Sequence, residues 1–367
     1  MIPQYEPSFD WREVYAVAEY MESGGWLTEY KQTEEFERRI ATFFNPKHGE
    51  LHCIVVNNGT ISLSLALMAV GIGIGDEVIV PDLTMIATPN AVKWIGAIPV
   101  FVDVDPKNLC MDLMQAREAI TAKTKAVIYV SLNGRTHDEI PEFKEWLNKK
   151  GIVLIEDAAQ SFGSKYSFGK YCGEVADVTS FSFSMPKIIT TGQGGCLVTA
   201  DKEIAKKLRK LKDFGRIKGG VDIHDDFGIN SKFTEIQAVI GITQMSKLHN
   251  RMFRKQWSYY LYKELLKKVA KIEFIPTACS LDKGYTIPWF VDIYVEDRDS
   301  LADFLKENDI GTRPVYPPIH KQKVYDIKKS FPIATKYSYK GLWLPSSFDL
   351  KDEQIANICT TIKRFYL

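Results

Sequence analysis

The chain has 367 residues, 45% of them hydrophobic and 25% charged, with a formal net charge of +1. That length suits one large domain plus a smaller one, and the near-neutral charge argues against nucleic acid or an anionic membrane as a partner. Six scattered cysteines without a CxxC pair, no basic segment leading an apolar run at "MIPQYEPSFDW", and no window of membrane-spanning length together predict a soluble cytoplasmic enzyme with reduced thiols.

Taken in chain order, "WREVYAVAEYMESGGW" and "TEEFERRIATFF" carry apolar residues at three-to-four spacing and predict helices. "CIVVNNGT" reads as a strand ending in a glycine turn, and "ISLSLALMAV" as the helix that follows. "DEVIVPD" is a strand and "ATPNAVKWIG" a helix, after which "IPVFVDVD", "TKAVIYVSL" and "GIVLIEDAA" are strands set among helical stretches. "VTSFSFS" and "GGCLVTA" lie close together and predict a hairpin-like pair. The basic run from Lys206 to Lys212 has helical spacing and reads as a solvated helix face. From Phe233 to Val269 the pattern becomes one long helical stretch with a bend. Beyond it stand "IPWFVDIYV", a strand, and "RDSLADFLKEND", a helix. Strands that are apolar along their whole length and alternate with helices predict an α/β fold with a mostly parallel sheet covered on both faces. The domains are expected at residues 1–250, a large domain that includes the N-terminal helices, and 251–367, a smaller C-terminal one.

In such a sheet ligands sit at the carboxyl ends of the strands, and three strand ends here carry polar residues. In "VVNNGT" the turn at Gly59 and Thr60 opens a helix, where free N–H groups and the positive dipole end can cradle a phosphate. The same residues also serve as an ordinary helix cap. In "IVLIEDAAQSFG" a buried strand delivers Asp157 to its end, where a carboxylate is partly desolvated unless a cation meets it. A helix N-cap is the alternative there. Thirty residues further on, "FSMPKIITTGQGG" sets Lys187 among hydroxyls and glycines. A partly buried lysine loses its proton more readily, and a free amine forms Schiff bases with aldehydes. A surface loop lysine is the bland reading. Pyridoxal phosphate would use all three at once, through its phosphate, its pyridinium nitrogen and its aldehyde.

The blocks "NNGTISLSLAL", "GIGDEVIVPDLTMIATPNAV", "PVFVDVDP", "VLIEDAAQSFGS", "SFSFSMPKIITTGQGG", "FGINSKFTEIQAVIG" and "TRPVYPPIHKQ" resemble, in order and over nearly the whole chain, the DegT/DnrJ/EryC1/StrS family of sugar aminotransferases. The resemblance implies the aspartate aminotransferase (type I) fold and a cofactor, pyridoxal 5'-phosphate, that becomes pyridoxamine 5'-phosphate between two half-reactions. L-Glutamate would supply the amino group and a nucleotide-linked keto sugar would accept it, with Lys187 moving the proton in both halves. It further implies that Asp157 pairs with the pyridine nitrogen and Gln160 bonds near the ring hydroxyl. Gly59, Thr60 and Ser182 would hold the phosphate, and Met85 would cover the ring where the family usually has an aromatic residue. Asn230 would reach the cofactor of a neighbouring subunit, so that a homodimer shares its active sites. Arg313, Tyr316 and His320 are expected to contact the nucleotide or sugar. A structural ion pair for Arg313 and a loop histidine without a role are the alternatives.

Within the family the resemblance is nearest to the branch that aminates C4 of a GDP-linked 4-keto-6-deoxymannose. A C3 aminotransferase acting on a dTDP- or UDP-linked sugar is the alternative. The related 3-dehydratases carry histidine in place of the Schiff-base lysine, which Lys187 argues against. A non-catalytic protein that keeps the fold and binds the cofactor or a nucleotide sugar is the competitor from another class. Ser131-Leu132-Asn133-Gly134, Gln193 and Ser231-Lys232 depart from the family pattern on the substrate side.

Overall fold

The computed structural model describes residues 1–44, 51–277 and 285–367. Cys279 lies outside the described residues, and the other five cysteines are free and buried. No helix among the described residues is long and apolar enough to cross a membrane.

The centre is a seven-stranded sheet built from β1 (His52–Val56), β2 (Glu77–Pro81), β3 (Ile98–Val102), β4 (Thr124–Val130), β5 (Val153–Asp157), β6 (Val178–Ser182) and β7 (Gly195–Thr199). Its order is β1-β7-β6-β5-β4-β2-β3. The strands β3, β2, β4, β5 and β6 run parallel, whereas β7 is antiparallel to both β6 and β1. The expected pairing of "VTSFSFS" with "GGCLVTA" is therefore present as β6–β7. Alternate residues of one strand feed opposite cores: Ile54 and Val56 join one apolar cluster, Cys53 and Val55 the other. A sheet buried on both faces needs apolar strands throughout, which is why these segments read as continuous hydrophobic runs.

Helices cover it. In chain order they are α1 (Trp11–Glu22), α2 (Lys31–Phe44), α3 (Gly59–Ala69), α4 (Ala87–Trp94), α5 (Leu113–Glu118), α6 (Ile140–Asn148) and α7 (Lys202–Lys212). The stretch expected as one bent helix resolves into α8 (Glu235–Ser246) and α9 (Leu248–Leu266), broken at Lys247. After it come β8 (Asp292–Tyr294), α10 (Arg298–Glu307), β9 (Arg313–Pro314), α11 (Pro332–Lys340), β10 (Gly341–Trp343) and α12 (Asp352–Phe365), with a small sheet ordered β8-β10-β9. The first residues of the chain join this second part: Ile2 donates to the Asp309 carbonyl and accepts from Gly311 N–H.

Local chemistry accounts for the boundaries. Asp10 and Glu13 form a reciprocal capping box at the start of α1, and Thr234 with Gln237 does the same for α8. The start of α2 is satisfied from a distance, because the Glu235 carboxylate accepts from the N–H groups of Tyr30, Gln32 and Thr33. Lys212, at the end of the basic run, departs from the solvated-face expectation: it is buried, and its ammonium meets Glu29 at 2.8 Å and Glu37 at 3.6 Å. Under β6 lies an aromatic cluster in which Phe181 stacks on Phe44 at 4.9 Å and Phe183 packs against Phe36 at 5.3 Å. Such contacts add about 0.5–1.5 kcal/mol each beyond burial, and they brace the strand that leads directly to Lys187.

Candidate functional site

A cavity of about 310 Å³ opens at the carboxyl ends of β1, β5 and β6, with Gly59, Met85, Asp157, Lys187, Trp289 and Arg313 on its walls. Thr60, Gln160, Ser182, Ser184, Gln193 and Tyr316 also line it. A larger surface groove of about 720 Å³ lies near the ends of α9 and α12, but lysines, Glu264 and mostly apolar side chains line it without a converging reactive set.

The phosphate-like end is built by α3 starting hard against β6. Asn58 caps the helix through its side chain, which accepts from Ile61 N–H at 2.8 Å. The cap leaves the first-turn amides of Gly59 and Thr60 without carbonyl partners inside the helix. A Cβ at position 59 would lie 2.9 Å from the Ser182 Cβ, so glycine is what lets the helix end reach the strand end. Ser182 and Ser184 place hydroxyls on the same wall, with their oxygens 3.3 Å apart. Capping and cradling, set against each other as alternatives in the sequence, are compatible here because different atoms would perform them.

Asp157 terminates β5 and is only 6% exposed. Its Oδ2 accepts from the Thr88 hydroxyl at 2.7 Å and its Oδ1 from Ala159 N–H at 3.2 Å. Burial raises its pKa; the bonds from Thr88 and Ala159 and the charge of Lys187 oppose that only in part. No lysine or arginine makes an ion pair with it among the described residues, so it is a desolvated carboxylate facing a cavity and suited to a cationic partner. Lys187 stands across the site with its amine desolvated. Burial brings its pKa down to about 7, opposed by the attraction of Asp157 and helped by the repulsion of Arg313. A substantial share of the amine is thus unprotonated near neutral pH. These features fit pyridoxal phosphate: an amide and hydroxyl cradle for the phosphate, a carboxylate needing a cation for the ring nitrogen, and a free amine for the aldehyde.

The structure brings together Gly59, Thr60, Met85, Asp157, Gln160, Ser182, Lys187, Arg313 and Tyr316 of the expected set. Gln160 accepts through Oε1 from Asn133 N–H at 2.9 Å, and Tyr316 packs edge-on against Trp343 at 4.9 Å. Arg313 makes no ion pair among the described residues; its guanidinium lies 5.5 Å from the Trp343 ring centre. His320 and Asn230 are not walls of this cavity. His320 is 3% exposed, with its Nδ1 2.6 Å from Asp82 Oδ2 and its backbone N–H donating to Asp82 Oδ1 at 2.8 Å. Its carboxylate partner on the loop after β2 ties the segment carrying Arg313 and Tyr316 to the large sheet. Asn230 is exposed and accepts from Lys232 N–H at 3.4 Å.

Sequence reading missed Thr88, Ser184 and Trp289. Thr88 carried a signal, since a threonine one helical turn after Thr84 was available to bond a carboxylate. Trp289 carried none: it comes from the second part of the chain, 102 positions from the lysine it covers.

The architecture and cavity define the class, a pyridoxal-phosphate-dependent aminotransferase. The model of the DegT/DnrJ/EryC1/StrS aminotransferase family matches residues 8–363, and the chain belongs to that family. It is 37% identical over 369 residues to the GDP-perosamine synthase of Escherichia coli O157:H7, covering 100% of this chain and 98% of that one. It is 32% identical over 360 residues to a dTDP-3-amino-3,6-dideoxy-alpha-D-galactopyranose transaminase of Aneurinibacillus thermoaerophilus, covering 96% and 95%. A Streptococcus pneumoniae chain solved in its PLP-form superposes with a TM-score of 0.88 at 26% identity, over 99% of this chain and 98% of that one.

Proposed function

We propose that the chain transfers the amino group of L-glutamate to C4 of GDP-4-keto-6-deoxymannose, giving GDP-perosamine for a surface glycan such as an O-antigen. The observation that carries the transfer chemistry is Lys187, a desolvated amine with a pKa near neutrality in the same cavity as the unpaired carboxylate Asp157. The whole-length likeness to a GDP-perosamine synthase supports the acceptor. When bound, the cofactor withdraws electrons from the carbon that loses or gains a proton, lowering the barrier to breaking that C–H bond.

The chain's own residues do the rest. Asp157 would pair with a cationic ring nitrogen, which would keep both the carboxylate ionised and the ring electron-poor. The Gly59 and Thr60 amides and the Ser182 hydroxyl would hold the phosphate, and Met85 would cover one side of the cavity with a flexible thioether. Lys187 would hold the cofactor through its free amine and, when released, would serve as the base that takes up and returns the substrate proton. A positioned base of this kind contributes about 10²–10⁴-fold. Arg313, unpaired at the cavity edge, and Tyr316 receive the anionic parts of the donor or of the nucleotide sugar.

The active unit is proposed to be a homodimer with shared sites. Helix α1 exposes Trp11, Val14 and Tyr15 on one stripe, and Trp26 and Leu27 after it are exposed too, large apolar side chains that a partner subunit would cover. Asn230, outside its own cavity, is then free to reach the partner's phosphate. A second acceptor, a dTDP-linked 3-keto sugar, is favoured by the relative named for such a product. Incubating the protein with pyridoxal phosphate, glutamate and each keto sugar, then identifying the amino sugar by mass, separates the two. GDP-perosamine formation at a rate well above that with the dTDP sugar is expected; preferential amination of the dTDP sugar would overturn the assignment.

A further inference from the structure

Among the described residues the Lys187 amine makes no hydrogen bond and no ion pair. Its close partner is an aromatic face: Nζ lies 3.9 Å from the centre of the Trp289 ring. The same indole donates its Nε1–H to the carbonyl of Pro186 at 2.7 Å. One side chain therefore grips the residue before the lysine and covers the end of the lysine itself.

Trp289 is held from several sides. Its own carbonyl accepts from Lys255 Nζ at 2.7 Å, and Lys255 also donates to the Ser346 carbonyl at 2.6 Å. The next residue, Phe290, is bonded twice by the Asn133 side chain, its N–H donating at 2.8 Å and its carbonyl accepting at 2.9 Å. Trp343 packs edge-on against the indole at 5.5 Å. The indole is 3% exposed. Asn133 is one of the positions where the chain departs from the pattern of its family, and here it works to fix the segment leading into β8 that presents the tryptophan.

We propose that Trp289 is a positioning residue for Lys187: its N–H fixes the turn that carries the lysine, and its ring seats the ammonium whenever the amine is not bonded to the cofactor. A lysine that shuttles a proton needs a resting place that stabilises its cation without taking the proton. A carboxylate in contact would trap the ammonium, and a bare apolar wall would reject it. A π face attracts the cation and is not a base. The other titratable and charged groups around the amine are Asp157 from β5, Arg313 from β9 and Tyr316 just beyond it. Tyr5 bonds the Met185 carbonyl at 3.1 Å on the turn's far side, and Lys255 lies behind the indole.

This role rests on Lys187 being the cofactor-binding amine, and the test separates the two. In cofactor-free protein, the pH dependence of Lys187 acylation by acetic anhydride, read by peptide mass, gives the lysine's own titration. It is measured in wild type, Trp289→Leu and Trp289→Phe. Leucine removes both the ring and the N–H, so the midpoint is expected to fall by about one pKa unit; phenylalanine keeps a face and should fall by less. Single-turnover reaction of the loaded enzyme with glutamate should slow about 10-fold in Trp289→Leu and recover in part in Trp289→Phe. An unchanged midpoint in folded Trp289→Leu overturns the proposal. If that variant does not fold, Trp289→Phe decides: an unchanged midpoint there overturns it, and a lowered one supports it. Protection of Lys187 by pyridoxal phosphate fixed with borohydride, measured in wild type, tests the lysine independently of the tryptophan.

Discussion

Two regions of this molecule bury a lysine deeply enough to bring its pKa down to about 7, and burial is the leading cause in both. Around Lys255, in α9, the ammonium is sealed between the carbonyls of Trp289 and Ser346 and the rings of Phe348 and Phe290, at 4.8 and 5.3 Å. Around Lys187 there is a cavity, one aromatic face, and a carboxylate that attracts the charge without bonding it. The perturbation is alike and the chemistry is opposite. A lowered pKa makes an amine available; open space beside it makes it reactive. Lys255 spends its hydrogen bonds joining α9 to the segments around residues 289 and 346, and has no room for an electrophile.

That comparison can be broken or sharpened by experiment. Lys187→Ala should lower 2-oxoglutarate formation from glutamate by at least about 10⁴-fold while leaving the circular dichroism unchanged. Lys255→Met should keep the lysine chemistry but lose stability by about 1–3 kcal/mol, because two buried carbonyls lose their donor; a urea melt measures it. Asp157→Ala should weaken pyridoxal phosphate binding by about 100-fold, the worth of one desolvated charge pair, read by equilibrium dialysis.

The pH predictions follow from the same pair. Only unprotonated Lys187 captures the aldehyde, so the rate at which cofactor-free protein turns yellow should climb through about pH 7 and level off above it. A rise continuing to pH 10 would mean an ordinary lysine. For Lys255 the unfolded chain titrates at 10.5 and the folded chain at about 7. The unfolded state therefore binds more protons across that interval, and wild-type stability rises with pH through it. Lys255→Met removes this rise, so its deficit should widen between pH 7 and 10, seen as a growing gap in melting temperature. Arg313→Gln is expected to have the smallest effect, raising KM for the sugar nucleotide or donor several-fold with kcat nearly unchanged, because it sits at the cavity edge.

The gathering of Gly59, Asp157 and Lys187 in one cavity was legible in the sequence because each is announced locally. Gly59 follows a strand and opens a helix, Asp157 ends a strand, and Lys187 sits in a glycine-rich turn after another. The sheet was legible for the same reason, since strands buried on both faces are apolar throughout. The opposite wall was not. Trp289 meets Lys187 across 102 positions, and its supports Lys255 and Asn133 reach its segment across 34 and 157, and nothing in "TIPWFVD" marks its tryptophan as facing an amine. His320 shows the limit from the other side. A histidine in a polar block suggested substrate contact, whereas burial against Asp82 makes it a tie between the sheet and the segment bearing Arg313.

The most direct test is to add pyridoxal phosphate, reduce with borohydride and map the modified lysine, with and without prior L-glutamate. The account predicts a pyridoxyl group on Lys187 alone, and its loss when glutamate is added first, because the donor has displaced the lysine. Label on Lys255 or a surface lysine, or label on Lys187 that glutamate does not diminish, would contradict it.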